Sequence, residues 1–113
     1  MKVLLTGASG FIGTEILTKI VHSDFKTVVI NRKLQQYKEN IEQIEIASID
    51  GFTDYGSILN GIDTIIHCVG RAHIINERAN NPLKKYRSVN TLGTLNLAKQ
   101  AANSGIKRFI FIS

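Results

Sequence analysis

The chain has 113 residues, 43% hydrophobic and 20% charged, with nine glycines, one proline and a formal net charge of +5. That is about three-quarters of a typical domain length, so one unit is expected and a complete two-domain enzyme with its own substrate lobe does not fit. The composition excludes a disordered chain, and no run approaches the roughly 18 apolar residues of a membrane span.

Met1–Leu5 is apolar, but Thr6-Gly7 breaks the run far short of a signal-peptide core. Lys2 to Thr6 reads instead as a buried strand ending at Gly7. Phe11 to His22 carries Phe11, Ile12, Ile16, Leu17, Ile20 and Val21 at the spacing of one helical stripe. Lys26 to Ile30 is the next strand, followed by the polar turn Asn31-Arg32-Lys33. Residues 34–42 are polar, with a short helix as the expectation. Glu45 to Ile49 reads as a strand, Tyr55 to Asn60 as a short helix and Asp63 to Val69 as a strand. Asn80-Asn81-Pro82 is a cap and first-turn signal. From there Leu83, Tyr86, Val89, Leu92, Leu95, Leu97, Ala98, Ala101 and Ala102 mark a long helix, closed at Ser104-Gly105 by a glycine suited to the left-handed position. Arg108 to Ile112 is the last strand. Helices alternating with continuous apolar strands argue for an α/β fold with a parallel sheet covered on both faces.

Charge divides unevenly. Residues 1–70 carry six Lys/Arg against eight Asp/Glu, whereas residues 71–113 carry eight against Glu77 alone. A basic half suits an anionic partner but does not choose among nucleic acid, a nucleotide and an acidic surface. Few aromatics, no Trp and no recognised nucleic-acid-binding motif argue against nucleic acid. Cys68 is the sole cysteine, which rules out an intramolecular disulfide and makes the reducing cytoplasm the expected compartment.

Thr6-Gly7-Ala8-Ser9-Gly10-Phe11-Ile12-Gly13 is the most informative segment. Its glycines are spaced three and three, directly after a strand and opening a helix. The first permits positive φ, the second lets backbone N–H groups approach a pyrophosphate, and the third lets the helix pack close to the strand. The helix N-terminus adds partial positive charge. A dinucleotide cradle is the expectation, built from Gly7, Ser9, Gly10, Phe11, Ile12 and Gly13. Nucleoside-triphosphate loops are excluded, because Thr14-Glu15 stands where Lys-Ser/Thr is required. The expected architecture is a Rossmann-type three-layer sandwich, a doubly wound parallel sheet of about five strands in order 3-2-1-4-5. At the end of the second strand, an NAD-selective site usually offers a carboxylate to the adenosine ribose. Here Asn31 and Arg32 stand there, and a guanidinium fork suits a 2′-phosphate. NAD or NADP is therefore the expected cofactor, with Arg32 leaning toward NADP and Asn31 offering ribose contacts to NAD.

With these residues read, the chain resembles the extended short-chain dehydrogenase/reductases, the NAD-dependent epimerase/dehydratase family. Ser48-Ile49-Asp50 with Thr53-Asp54 is similar to the family's third-strand end, which implies that Asp50 contacts adenine. Gly61 to Gly70 is similar to the fourth strand, whose end, Val69 and Gly70 here, lines the cofactor; Cys68-Val69 replaces the usual Leu-Ala. Ser88 to Leu97 resembles the Asn-x-x-Gly-Thr helix. Gly70 to Glu77 resembles more narrowly the nucleotide-sugar 4-epimerases and 4-keto-reductases of bacterial surface-polysaccharide pathways, which act at C4 of a UDP-sugar by hydride transfer.

Proton transfer in that family uses a Tyr whose pKa is lowered by a Lys four residues on. Ile41, Leu59 and Asn90 stand four residues after Tyr37, Tyr55 and Tyr86, so no Tyr-x-x-x-Lys exists. Ser113 matches the first Ser of Phe-Ile-Ser-Ser, of which the second is normally catalytic. Residues 1–113 are thus expected to be an NAD(P)-binding domain without catalytic residues, with the later strands and substrate lobe absent. A nucleotide-sugar substrate belongs to a longer protein; the alternative is a stand-alone non-catalytic NAD(P)-binding or redox-sensing module. No membrane partner is expected, and a homodimer is left open. His67 reads as a hydrogen-bonded core residue and Cys68 as a small buried hydrophobe, and no zinc-ligand spacing is present. Gly93 fits a close approach of the long helix to the sheet.

Overall fold

Among the described residues, five parallel strands form one sheet in the order β3-β2-β1-β4-β5. In chain order these are β1 (Lys2–Thr6), α1 (Phe11–Ile20), β2 (Lys26–Asn31), β3 (Glu42–Glu45), β4 (Thr64–Cys68), α2 (Pro82–Asn103) and β5 (Arg108–Ile112), with a 3-10 turn at Gly56–Leu59. The computed structural model describes residues 1–37, 41–68 and 82–112. This is the expected doubly wound sheet, with the chain leaving β1 toward β2 on one side and returning to β4 on the other.

Strand alternation sorts the apolar residues into two layers. Leu4, Val28, Ile30 and Ile65 face Leu97 and Ala101 of α2 together with Tyr55 and Leu59. Leu5, Val29 and Cys68 face Leu17 of α1 and Ala8. In register, Thr6 pairs with both Ile30 and His67, so β1, β2 and β4 end together at one edge of the sheet.

Several boundaries and faces differ from the sequence expectation. β3 is Glu42–Glu45 instead of Glu45–Ile49, and 34–37 are not helical. Its register is set by β2, with Ile44 opposite Ile30 and the Ile46 N–H donating to the Asn31 carbonyl. The chain then leaves the ladder, and Ile49 packs under α2. In α1 the buried residues are Gly13, Leu17 and Ile20, while Phe11 is 85% exposed and Ile12 is also exposed. The glycine-turn backbone lies directly against the first turn of α1 at Gly13, so bulky side chains there must point away. Leu92 and Leu95 of α2 are exposed for a related reason, because the helix presents Gly93, Leu97 and Ala101 to its neighbours. β5 is not buried on both faces: Ile110 and Phe111 are exposed, since β5 is the outermost strand on its side.

Candidate functional site

The turn after β1 is shaped by contacts that leave no room for side chains. Gly7 has φ +71°, and a Cβ there would stand 2.5 Å from the Cys68 carbonyl oxygen. Either fact alone requires glycine. A Cβ on Gly13 would stand 1.9 Å from the Gly7 carbonyl oxygen, so α1 sits on the turn backbone to backbone. Gly10 differs. Its φ of −77° suits any residue, and its missing Cβ would meet only the Gly7 oxygen at 3.4 Å. The fold itself does not need glycine at position 10; an approaching ligand would.

Gly10 is also the N-cap of α1, and no side chain caps it. Its N–H donates to the Gly7 carbonyl, and the Thr14 N–H donates to the Gly10 carbonyl. Helix geometry leaves the N–H groups of Phe11, Ile12 and Gly13 without intrahelical acceptors. No acidic residue occupies the first turn, so nothing there competes with an anion for the helix dipole. Ser9 and Gly10 are exposed beside these donors, whereas Ala8 is buried. The Thr14 hydroxyl braces the turn from within, bonding the Gly10 carbonyl at 2.7 Å and the Ala8 carbonyl at 3.1 Å. This bracing role of Thr14 goes beyond its sequence significance, which is to exclude a triphosphate loop.

At the end of β2, Asn31 is 3% exposed. Its Nδ2 donates to Tyr37 Oη at 2.7 Å and to Gln43 Oε1 at 2.9 Å, while its Oδ1 is buried without a partner. Gln43 also holds the following loop: its Oε1 accepts from the Gln35 N–H and its Nε2 donates to the Gln35 carbonyl. Arg32 and Lys33 are exposed beside it, and among the described residues the one ion pair is Lys2–Glu42. The glycine turn and Asn31-Arg32 thus share the carboxyl edge of the sheet, next to where the strand order reverses.

Asp50 lies in the turn under α2. Its Oδ1 accepts from the Phe52 N–H at 2.8 Å, and its own N–H donates to Thr53 Oγ1. Asn96 and Gln100 clamp this turn, with Asn96 Nδ2 on the Asp50 and Thr53 carbonyls and Gln100 Nε2 on that of Thr53. Gly93 allows the approach, because a Cβ there would meet the Ile49 carbonyl oxygen at 2.6 Å. At Gly93 the close contact of α2 is therefore with this turn rather than with the sheet. Gln43, Asn96 and Gln100 are not among the residues the sequence singles out. For the last two a signal existed: Gly93, Asn96 and Gln100 fall three and four apart on one helix face.

His67 is 5% exposed, with Nδ1 2.5 Å from Thr6 Oγ1 and Nε2 3.0 Å from Thr94 Oγ1. Burial lowers its pKa to about 4, so it is a neutral, hydrogen-bonded core histidine as expected. Burial raises the Cys68 thiol pKa, in keeping with an inert hydrophobe. Tyr55 is buried with its hydroxyl unpartnered, and burial, then the Asp50 charge, raises its pKa to about 12. That direction is opposite to what a tyrosine base requires. No metal-binding cluster occurs among the described residues. Val69, Gly70, the 71–77 segment and Ser113 lie outside them.

The model of the NAD dependent epimerase/dehydratase family matches residues 3–113. A UDP-glucose 4-epimerase of Vibrio cholerae is 40% identical over 115 residues, covering 99% of this chain and 34% of that protein. This chain therefore spans about a third of that relative's length. Among solved structures, MoeE5 in complex with UDP-glucuronic acid and NAD superposes with a TM-score of 0.78 at 22% identity, over 98% of this chain and 36% of its own. The UDP-glucose 4-epimerase of Thermotoga maritima, solved with UDP-glucose, gives 0.74 at 24% identity, over 98% and 37%. At those identities the superpositions speak to the fold.

Proposed function

The chain belongs to the NAD dependent epimerase/dehydratase family, and on that premise we propose that residues 1–113 are the dinucleotide-binding part of a nucleotide-sugar epimerase or 4-keto-reductase acting at C4 of a UDP-sugar. The observation that carries this reading is Gly10, the one glycine of the turn that internal packing does not require. Its open side, together with the unspent N–H groups of the first turn of α1, fits a pyrophosphate. Gly7 and Gly13 shape the seat, and Ser9, Phe11 and Ile12 border it. The orphaned Asn31 Oδ1 fits a ribose hydroxyl, and Arg32 fits a 2′-phosphate, which favours NADP over NAD. Asp50, Val69 and Gly70 are assigned to the cofactor by resemblance.

When bound, the nicotinamide supplies hydride acceptance and return. The chain's own residues bind and orient; the sequence holds no Tyr-x-x-x-Lys, so proton transfer at the sugar falls to residues beyond this set. Residues 1–113 are accordingly expected to bind cofactor without turning over UDP-glucose, and measurable epimerisation by them alone would overturn that. The cofactor reading is tested by fluorescence titration with NADH and NADPH, before and after Arg32→Ala. Tighter, salt-sensitive NADPH binding that Arg32→Ala abolishes supports it. An unchanged preference removes Arg32, and no binding of either nucleotide removes the whole reading. A homodimer is a separate expectation, read directly by sedimentation.

A further inference from the structure

Thr6 ends β1, immediately before Gly7, and is fully buried. Its hydroxyl meets His67 Nδ1, while His67 Nε2 meets Thr94 on α2. Thr6 and His67 are register partners across the sheet. The next residue, Cys68, places its carbonyl oxygen 2.5 Å from where a Gly7 Cβ would be. The imidazole therefore ties two strand ends together at the step where the glycine turn leaves the sheet. Phe109 and Phe111 of the adjacent β5 lie near its ring, with centroids 6.1 and 5.9 Å away. In that apolar setting the ring stays neutral, with one donor and one acceptor for two hydroxyls. Ile65 and Ile66 precede it on β4 and Cys68 follows.

We propose that His67 is a positioning residue for the dinucleotide: through Thr6 it sets how the glycine turn leaves β1, and so the affinity for the pyrophosphate-bearing cofactor, while its bond to Thr94 serves folding only. The inference rests on the turn being a dinucleotide cradle. It separates two hydrogen bonds of one ring, which amide side chains can keep one at a time. Asparagine places a polar atom where Nδ1 lies, and glutamine places one where Nε2 lies.

In the 113-residue chain, His67→Asn and His67→Gln are compared by NADH and NADPH titration and by urea unfolding. Both variants lose stability, since each leaves one hydroxyl without its partner. His67→Gln weakens binding about three- to tenfold, the worth of one net hydrogen bond, whereas His67→Asn stays within about twofold. Thr6→Val reproduces the loss, Thr6→Ser restores binding, and Thr94→Val leaves it unchanged. If the histidine variants do not fold, the near-isosteric threonine series decides the question. Equal losses in His67→Asn and His67→Gln, or wild-type affinity in Thr6→Val, overturn the inference. Absence of binding by the wild-type chain overturns the cradle reading, and this inference with it.

Discussion

Replacing Gly13 with alanine should lift α1 off the glycine turn. The added Cβ would lie 1.9 Å from the Gly7 carbonyl oxygen and 2.8 Å from its carbon, where ordinary contact needs about 3.5 Å. The obstructing atoms are backbone and cannot rotate away, so the helix or the turn must shift. Overpacking of this kind costs about 3 kcal/mol, against which alanine regains about 1 kcal/mol of helix propensity. A net loss of about 2 kcal/mol is a large share of a domain's stability of about 5–15 kcal/mol. Gly10→Ala is the matched control: its Cβ meets the chain only at 3.4 Å and its φ suits alanine, so stability should change by about 0.5 kcal/mol or less. Yet Gly10→Ala should weaken NADH binding by about tenfold or more, because the Cβ enters the space a pyrophosphate needs. Urea unfolding reads the first effect and fluorescence titration the second. Wild-type stability in Gly13→Ala would refute the packing argument, and wild-type affinity in Gly10→Ala would refute the placement of the pyrophosphate.

Stability should fall as pH drops from about 6.5 toward 4. There the unfolded chain protonates His67 and the folded chain does not, a difference of about 3 kcal/mol at most. Urea midpoints measured across that range should flatten in His67→Asn, and an unaltered profile would point to other groups. Tyr55→Phe should raise stability by about 1 kcal/mol, since the hydroxyl it removes is buried without a partner; a loss in thermal unfolding would mean that the hydroxyl is bonded in solution. Gly93→Ala should destabilise by about 1–2 kcal/mol despite better helix propensity, because its Cβ would press on the Ile49 carbonyl. Its amide exchange should quicken in the 49–53 turn; protection there equal to wild type would show that α2 is not what holds it.

The element order and sheet class were legible because buried parallel strands are written as unbroken apolar runs, such as Val3-Leu4-Leu5 and Val28-Val29-Ile30, and helices as stripes. β3 was misread because Ile41, Ile44, Ile46 and Ile49 offer two overlapping strand patterns. What decides between them is pairing with Asn31 and Ile30, a partner choice that local periodicity does not contain. Phe11 and Ile12 share the apolar stripe of α1 but not its buried face, for a similar reason. A helical stripe names a face, but here the first turn sits on bare backbone and has no depth for a phenyl ring.

By itself the sequence determined the strand–turn–helix of residues 2–20, the need for glycine at its bends and the absence of a Tyr-x-x-x-Lys. These are properties of neighbouring residues, governed by φ, side-chain volume and spacing. Only the tertiary structure separated Gly7 and Gly13, filled by the chain's own backbone, from Gly10, left open to something else. Only it joined Thr6 to His67 across 61 positions and clamped the Asp50 turn with Asn96 and Gln100. Those contacts depend on which strand ends and helix faces meet, and that is settled by packing between elements rather than within them.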